Sequence, residues 1–267
     1  MSVQTLYTAA TGMESLQTKL DVIANNLANV NTTGFKRTRA NFEDLFYRHE
    51  VLPGQLDSAG NPTPTGIAVG LGARGQSTQT DTTQGAFQTT NQPYDVAIQG
   101  DGYFQVTDPN GQILYTRAGN FSVNANGQLV VGSASNGFLL DPAISIPQDT
   151  TAISISPQGQ VSVQQAGSNT LNQVGVIQLA RFINPQGLLQ LGNNMYSQTP
   201  ASGSPTQGVP GATGLGTVQQ NALEASNVQP VQELIDLITT QRAFELNSQA
   251  IQTGDQILQT ITNLRRP

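Results

Sequence analysis

The sequence predicts an α+β protein in which N- and C-terminal α-helices pair as a coiled-coil-like domain and an all-β domain is inserted between them. Three observations point there. Apolar residues recur at steps of three and four near both ends, short β-type runs broken by turn residues fill the middle, and two Gly/Pro-rich stretches separate these regions. The implied division is residues 1–45 for the first helix and its turn, 46–84 for an extended connector, and 85–200 for the β-rich domain. Residues 201–226 then form a return connector and 227–267 the last helix.

The first helix is read from Val3, Leu6, Ala10, Met13, Leu16, Leu20, Ile23, Leu27 and Val30, a narrow apolar seam of the a/d kind whose phase shifts at Met13 and Leu16. At 1.5 Å per residue such a helix is about 40 Å long. Asn29, Asn31, Thr32, Thr33 and Gly34 end it, because Asn and Gly tolerate left-handed backbone. Asn25, Asn26 and Asn29 carry amides that must face water or hydrogen-bond a neighbouring chain, where they would fix register.

Residues 46–84 are poor in apolar periodicity and rich in Gly and Pro, which predicts an extended connector. Beyond it, β-type runs fall at 96–98, 103–106, 113–115, 121–123, 129–131, 137–140, 144–146, 153–155, 161–163 and 176–182. Turn chemistry lies between them at Asp108-Pro-Asn-Gly111, Asn124-Ala-Asn-Gly127 and Pro157-Gln-Gly159. The stretch at 200–216 is again Gly/Pro-rich. The last helix carries Val228, Val231, Leu234, Ile235, Ile238, Leu246, Ala250, Ile257, Ile261 and Leu264, with Ser226 or Asn227 as cap, Pro230 in the first turn and Arg265 and Arg266 at its end.

Composition narrows function. Hydrophobic residues make up 37% of the chain and charged residues only 10%, which suits wide polar contacts with like neighbours. A formal charge of -6 with 11 Lys plus Arg disfavours nucleic acid as a partner. The basic cluster Lys36, Arg37 and Arg39, beside Glu43 and Asp44, reads as a solvated face. With no cysteine, thiolate metal sites and thiol nucleophiles are excluded. No signal-peptide pattern opens the chain, so an exported protein would travel without signal cleavage. No run reaches the ~18 apolar residues of a membrane span.

Candidate chemistry is thin. Gly70-Leu-Gly72-Ala-Arg-Gly75 matches a dinucleotide fingerprint in letters, yet no helix pattern follows it, and a glycine-rich connector is the better reading. The single histidine, His49, has no nucleophile signature near it and reads as a surface residue. Asp95, Asp101 and Asp108 could furnish a carboxylate pair but sit in turn contexts. The expectation is therefore no catalytic residue, no cofactor, no metal and no small-molecule substrate.

The segment Asp21-Val-Ile-Ala-Asn-Asn-Leu-Ala-Asn-Val-Asn-Thr-Thr-Gly-Phe-Lys36 closely resembles the N-terminal signature of bacterial flagellar rod and hook proteins. Glu224-Ala-Ser-Asn-Val228, Glu233-Leu-Ile-Asp-Leu-Ile and Gln241-Arg-Ala-Phe-Glu-Leu-Asn247 are similar to that family's terminal helix. Phe42-Glu-Asp-Leu-Phe46 and Thr65-Gly-Ile-Ala-Val-Gly-Leu-Gly-Ala-Arg74 resemble the members that build the distal rod more than proximal-rod or hook members. The resemblance implies a self-polymerising structural subunit of a hollow drive shaft in the flagellar basal body. Its terminal helices would form the inner layer and its β domain the outer one.

By the same resemblance, Leu6, Met13, Leu20, Ile23, Asn25, Asn26, Leu27, Asn29 and Val30 would pack subunits from the first helix. From the last would come Val228, Val231, Leu234, Ile235, Ile238, Leu246, Ile257, Ile261 and Leu264, with Asn31, Gly34, Phe35 and Lys36 forming the signature turn. The implied partners are copies of the chain, proximal rod proteins, the hook protein, the P-ring and L-ring proteins and the flagellar type III export apparatus. The implied place is the rod crossing the periplasm. Competing classes are a cell-wall hydrolase, which lacks a catalytic constellation here, and a secreted β-domain binding module, which leaves both helices unexplained.

Overall fold

A computed structural model describes residues 3–56, 61–132, 137–168, 170–212 and 214–264. The chain divides into two compact units, the first made of residues 1–28, 38–79 and 229–267 and the second of residues 29–37 and 80–228. The order of elements is helix, strands, helix, an α+β arrangement.

Unit 1 holds both long helices, α1 (Val3–Ala28) and α2 (Pro230–Leu264), and a β-ribbon. The ribbon is built from β1 (Thr38–Asp44), β2 (Tyr47–Val51), β3 (Ile67–Gly70) and β4 (Ala73–Thr80). β1 pairs with β4, and β2 pairs antiparallel with β3. Leu45 N–H bonds to Gly72 O and Leu71 N–H to Phe46 O, so the two pairs run on through one bend. The segment expected as an extended connector thus contributes β2, β3 and β4 to a self-paired ribbon. Of the dinucleotide-like glycines, Gly70 ends β3, Gly72 occupies the bend and Gly75 lies within β4, a strand where a phosphate grip needs a helix. His49 lies exposed on β2.

The helices start and stop for local reasons. α1 ends at Ala28, where Asn29 O accepts Thr32 N–H and the chain turns through Thr32 and Phe35. α2 opens at Pro230, whose missing N–H costs nothing in a first turn. Ser226 and Asn227, expected as caps, lie before that start and serve other bonds: the Asn227 side chain binds Arg37 N–H, Asp81 O and Thr83 O. Gly254 sits in mid-helix because a Cβ there would come within 2.6 Å of Leu6 Cδ2, so close approach of α1 outweighs the propensity loss.

Unit 2 is β-rich, with a short 3-10 turn at Pro185–Gly187. Its strands are β5 (Phe87–Thr89), β6 (Val96–Gln99), β7 (Tyr103–Thr107), β8 (Ile113–Thr116), β9 (Phe121–Val123), β10 (Leu129–Val131), β11 (Leu139–Leu140) and β12 (Thr150–Ile155). They continue with β13 (Gln160–Gln165), β14 (Leu171–Val176), β15 (Leu179–Arg181), β16 (Leu189–Gly192), β17 (Met195–Ser197), β18 (Thr206–Gly208), β19 (Thr217–Gln220) and β20 (Ala222–Glu224). The main sheet runs β16-β17-β8-β7-β11-β10-β9, with β15 joining β7 to β18. β7 shares one edge: Leu179 and Ala180 of β15 pair with Phe104 and Tyr103, and Leu140 and Leu139 of β11 with Val106 and Thr107. Beside it are the sheet β12-β13-β14 and the pairs β19-β6 and β20-β5.

The apolar residues of these strands and their connections close a core around Val96, Ile98, Phe104, Val106, Leu140, Val161, Ile177 and Leu179, and a second cluster gathers Tyr103, Tyr115, Ala180, Phe182 and Leu188. Phe104 meets Phe121 edge-on at 5.0 Å between ring centroids. Two expectations change. Residues 144–146 form a single antiparallel bridge, Ser145 to Gln128, and not a full strand, between Pro142 and Pro147, which donate no N–H; Ile144 and Ile146 are buried. Residues 201–226, read as a Gly/Pro-rich return connector, carry β18, β19 and β20 and place Val218 in the core.

Candidate functional site

Within unit 1 the helices lie antiparallel: Gly254 faces Leu6, Gly12 faces Asn247, and Asn26 faces Glu233. The face that α2 turns inward is Glu233, Leu237, Thr240, Phe244, Asn247, Ile251, Gly254 and Leu258, at alternating steps of four and three, and every one is buried or half-buried. Every second position of this seam is therefore polar or glycine.

The Asn-rich end of α1 supplies the polar fastening. Asn26 is buried; its Oδ1 accepts Thr38 N–H at 2.9 Å, and its Nδ2 donates to Thr38 O at 2.8 Å and to Glu233 Oε2 at 3.2 Å. One amide thus joins α1 to β1 in the manner of a strand residue and also to α2. In place of the neighbouring chain expected for these amides, Asn26 bonds its own chain.

The predicted packing residues divide by helix. On α1, Ile23 is buried and Leu6, Met13, Leu20 and Leu27 are half-buried, while Asn25 is exposed. On α2 the predicted residues Val231, Leu234, Ile235, Ile238 and Leu246 are 44% to 71% exposed, and Ile257 is half-buried. The side chains of Ile261 and Leu264, and the whole of Arg265 and Arg266, lie outside the described residues. Asn29, Val30 and Val228 belong to unit 2, the first two half-buried and the third buried. The sequence reading omitted both the apolar members of this inward face, Leu237, Phe244, Ile251 and Leu258, and the polar or glycine ones, Glu233, Thr240, Asn247 and Gly254; the spacing of seven within each set was the available signal.

The signature turn belongs to unit 2. Asn31 is exposed, Phe35 is half-buried, and Gly34 and Lys36 are buried. Gly34 has φ +69, and a Cβ on it would lie 2.8 Å from the carbonyl carbon of Arg117, so glycine is required twice over. Its N–H bonds to Glu224 O at 2.8 Å.

Lys36, read from sequence as part of a solvated basic face, is only 2% exposed. Its Nζ donates to Glu224 Oε1 at 2.5 Å and to Thr83 O at 2.8 Å. Gly85 N–H reaches the same carboxylate oxygen, and Arg117 Nη1 donates to Oε2 at 3.2 Å. Arg117 continues to Gly100 O and lies 5.3 Å from the centroid of the Tyr103 ring. Burial holds the Lys36 ammonium below its ordinary value of 10.5 even though Glu224 pulls the other way. Arg39 and Arg74 do stay exposed, on Gln79 and Glu43 respectively. Asp101 and Asp108 lie in the turns flanking β7, and Asp95 accepts the Thr90 hydroxyl. Among the described residues no group of His, Cys, Asp and Glu has metal-holding geometry, and no helix is long and apolar enough to cross a membrane.

Three family models match the chain. They are Flagella basal body rod protein over residues 6–36, Flagellar hook protein FlgE/F/G D1 domain over residues 97–163, and Flagellar basal body rod FlgEFG protein C-terminal over residues 219–264. The flagellar basal-body rod protein FlgG of Caulobacter vibrioides is 47% identical over 264 residues, covering 98% of this chain and 100% of that relative. The protein of the same name from Borreliella burgdorferi is 43% identical over 266 residues, covering 99% of each. That of Bacillus subtilis is 38% identical over 268 residues, covering 99% of this chain and 100% of the relative.

Proposed function

This chain belongs to the flagellar basal-body rod protein FlgG family, a family of structural proteins and not of enzymes, and from that premise we propose that it is a subunit of the distal rod. Copies polymerise helically into a hollow shaft that carries torque through the periplasm to the hook. The observation that carries this reading is the outward stripe of α2. Val231, Leu234, Ile235 and Ile238 follow one another at steps of three, one and three, lie on one side of the helix, and stand open to water although α2 already has α1 on its other face. Burying such side chains against a neighbour gains about 1.5–3 kcal/mol each. A patch that meets a different surface on the next copy makes a heterologous contact, which builds an open helical filament when its rotation does not close a ring.

The α1–α2 seam acts as a coiled-coil-like pair inside each subunit, and the outer stripe of α2 acts between subunits. The proximal rod proteins and the hook protein lie beyond the two ends of the shaft, and the P-ring and L-ring proteins surround it. Subunits arrive through the flagellar type III export apparatus without signal cleavage. The full-length relatives named FlgG favour the distal rod over the proximal-rod and hook alternatives, in keeping with the resemblance of Phe42-Glu-Asp-Leu-Phe46 and Thr65 to Arg74 to distal-rod members. The test is Ile238→Asp in a swimming strain. The purified variant is expected to keep the wild-type melting profile while basal bodies lack a distal rod and motility is lost; normal swimming would overturn the proposal.

A further inference from the structure

The chain passes between its two units four times, at residues 28/29, 37/38, 79/80 and 228/229. On the unit 2 side all four passages begin or end in three short segments, 29–37, 80–86 and 222–228. These segments are bound to one another by side-chain and backbone hydrogen bonds. Lys36 ties the first to Glu224 of the third and to Thr83 of the second. Gly34 N–H bonds to Glu224 O, Asp81 N–H to Arg37 O, and Ala225 N–H to Ala86 O. Asn227 accepts from Arg37 N–H at 2.7 Å and donates to Asp81 O at 3.0 Å. Arg117, just beyond β8, anchors the group to the main sheet through Glu224 Oε2.

Resting on the rod reading, we infer that the Lys36–Glu224–Arg117 cluster is a mechanical clasp through which force on any of the four passages enters the β unit at one point. Buried ionic groups are poor evidence for stability as such, since apolar residues of similar volume often serve as well or better. Position is the better guide. A carboxylate held by two cations away from water has no solvent partner to exchange with as the bonds are stretched, so it opens late. Without it, force on segments 80–86 and 222–228 would fall on the short two-stranded pair β5–β20.

The test is single-molecule unfolding of the full chain. The sequence has no cysteine, so pairs of introduced cysteines give unique handles. One axis, Gln229→Cys with Asn126→Cys, loads a passage directly without loading the helices. The other, Asn110→Cys with Gln158→Cys, joins two exposed turn positions inside the β unit. Lys36→Met and Glu224→Gln are compared with the parent on both axes. Along the first, the unfolding rate at fixed load is expected to rise on the order of 100-fold, as for a broken buried pair; along the second, by no more than about threefold. Equal changes on both axes, or none on either, would overturn the clasp. If Glu224→Gln does not fold, Lys36→Met, which keeps the Arg117–Glu224 pair, decides the same question. The measurement uses single chains, so its failure leaves the rod reading intact, and a strain that does not swim with the parent gene restored would sink that reading alone.

Discussion

Unit 2 and unit 1 bury opposite kinds of residue. In unit 2 the fully enclosed side chains are chiefly apolar, with Phe104, Ile98, Leu140, Val106 and Leu179 at the centre. In unit 1 the residues most shielded from water on α2 are Glu233 and Thr240, while Val231, Leu234, Ile235 and Ile238 stand in solvent. The first pattern is that of a domain that folds for itself. The second is the pattern on which the proposed contact between copies rests, an apolar stripe left in solvent beside a seam that carries polar groups.

That contrast can be broken most forcefully in the β core. Phe104→Ala should cost about 3–5 kcal/mol in urea unfolding of the isolated chain, because it opens a cavity in a close-packed interior. A loss below about 1 kcal/mol would mean that unit 2 is no better packed than the helical unit.

Next in size is Asn26→Ala, which removes three hydrogen bonds and leaves Thr38 and Glu233 short of partners. It should destabilise unit 1 by about 1–3 kcal/mol. Hydrogen exchange should report faster opening of α1 and β1 while amides of the main sheet keep their protection. Uniform loss of protection across both units would erase the distinction.

Ile238→Ser should change the stability of the single chain by less than about 0.5 kcal/mol, since the side chain is exposed. Rod assembly should nevertheless fail. A large drop in the melting temperature of the monomer would move Ile238 to the inward face.

The smallest effect is a slope in pH. Lys36 releases its proton at lower pH in the folded chain than its ordinary 10.5. Between those values the unfolded chain holds the extra proton, so this group's contribution is fully present above 10.5 and is lost as pH falls through the folded value. Denaturation at a series of alkaline pH values should show the stability of the parent rising relative to Lys36→Met. A parallel pair of curves would place Lys36 in solvent.

The sequence by itself determined the helices, the β character of the middle, the turns at Asp108–Gly111, Asn124–Gly127 and Pro157–Gly159, and the family. Each of these is a local matter, set by spacing of three and four, by alternation, or by glycine at a turn. Only the tertiary structure decided which side of α2 faces α1, because Glu233 looks solvent-bound until Asn26 is placed opposite it. It also decided that Lys36 is buried and not solvated. The carboxylate that makes burial tolerable is 188 residues away along the chain, and no local pattern reports a partner at that distance.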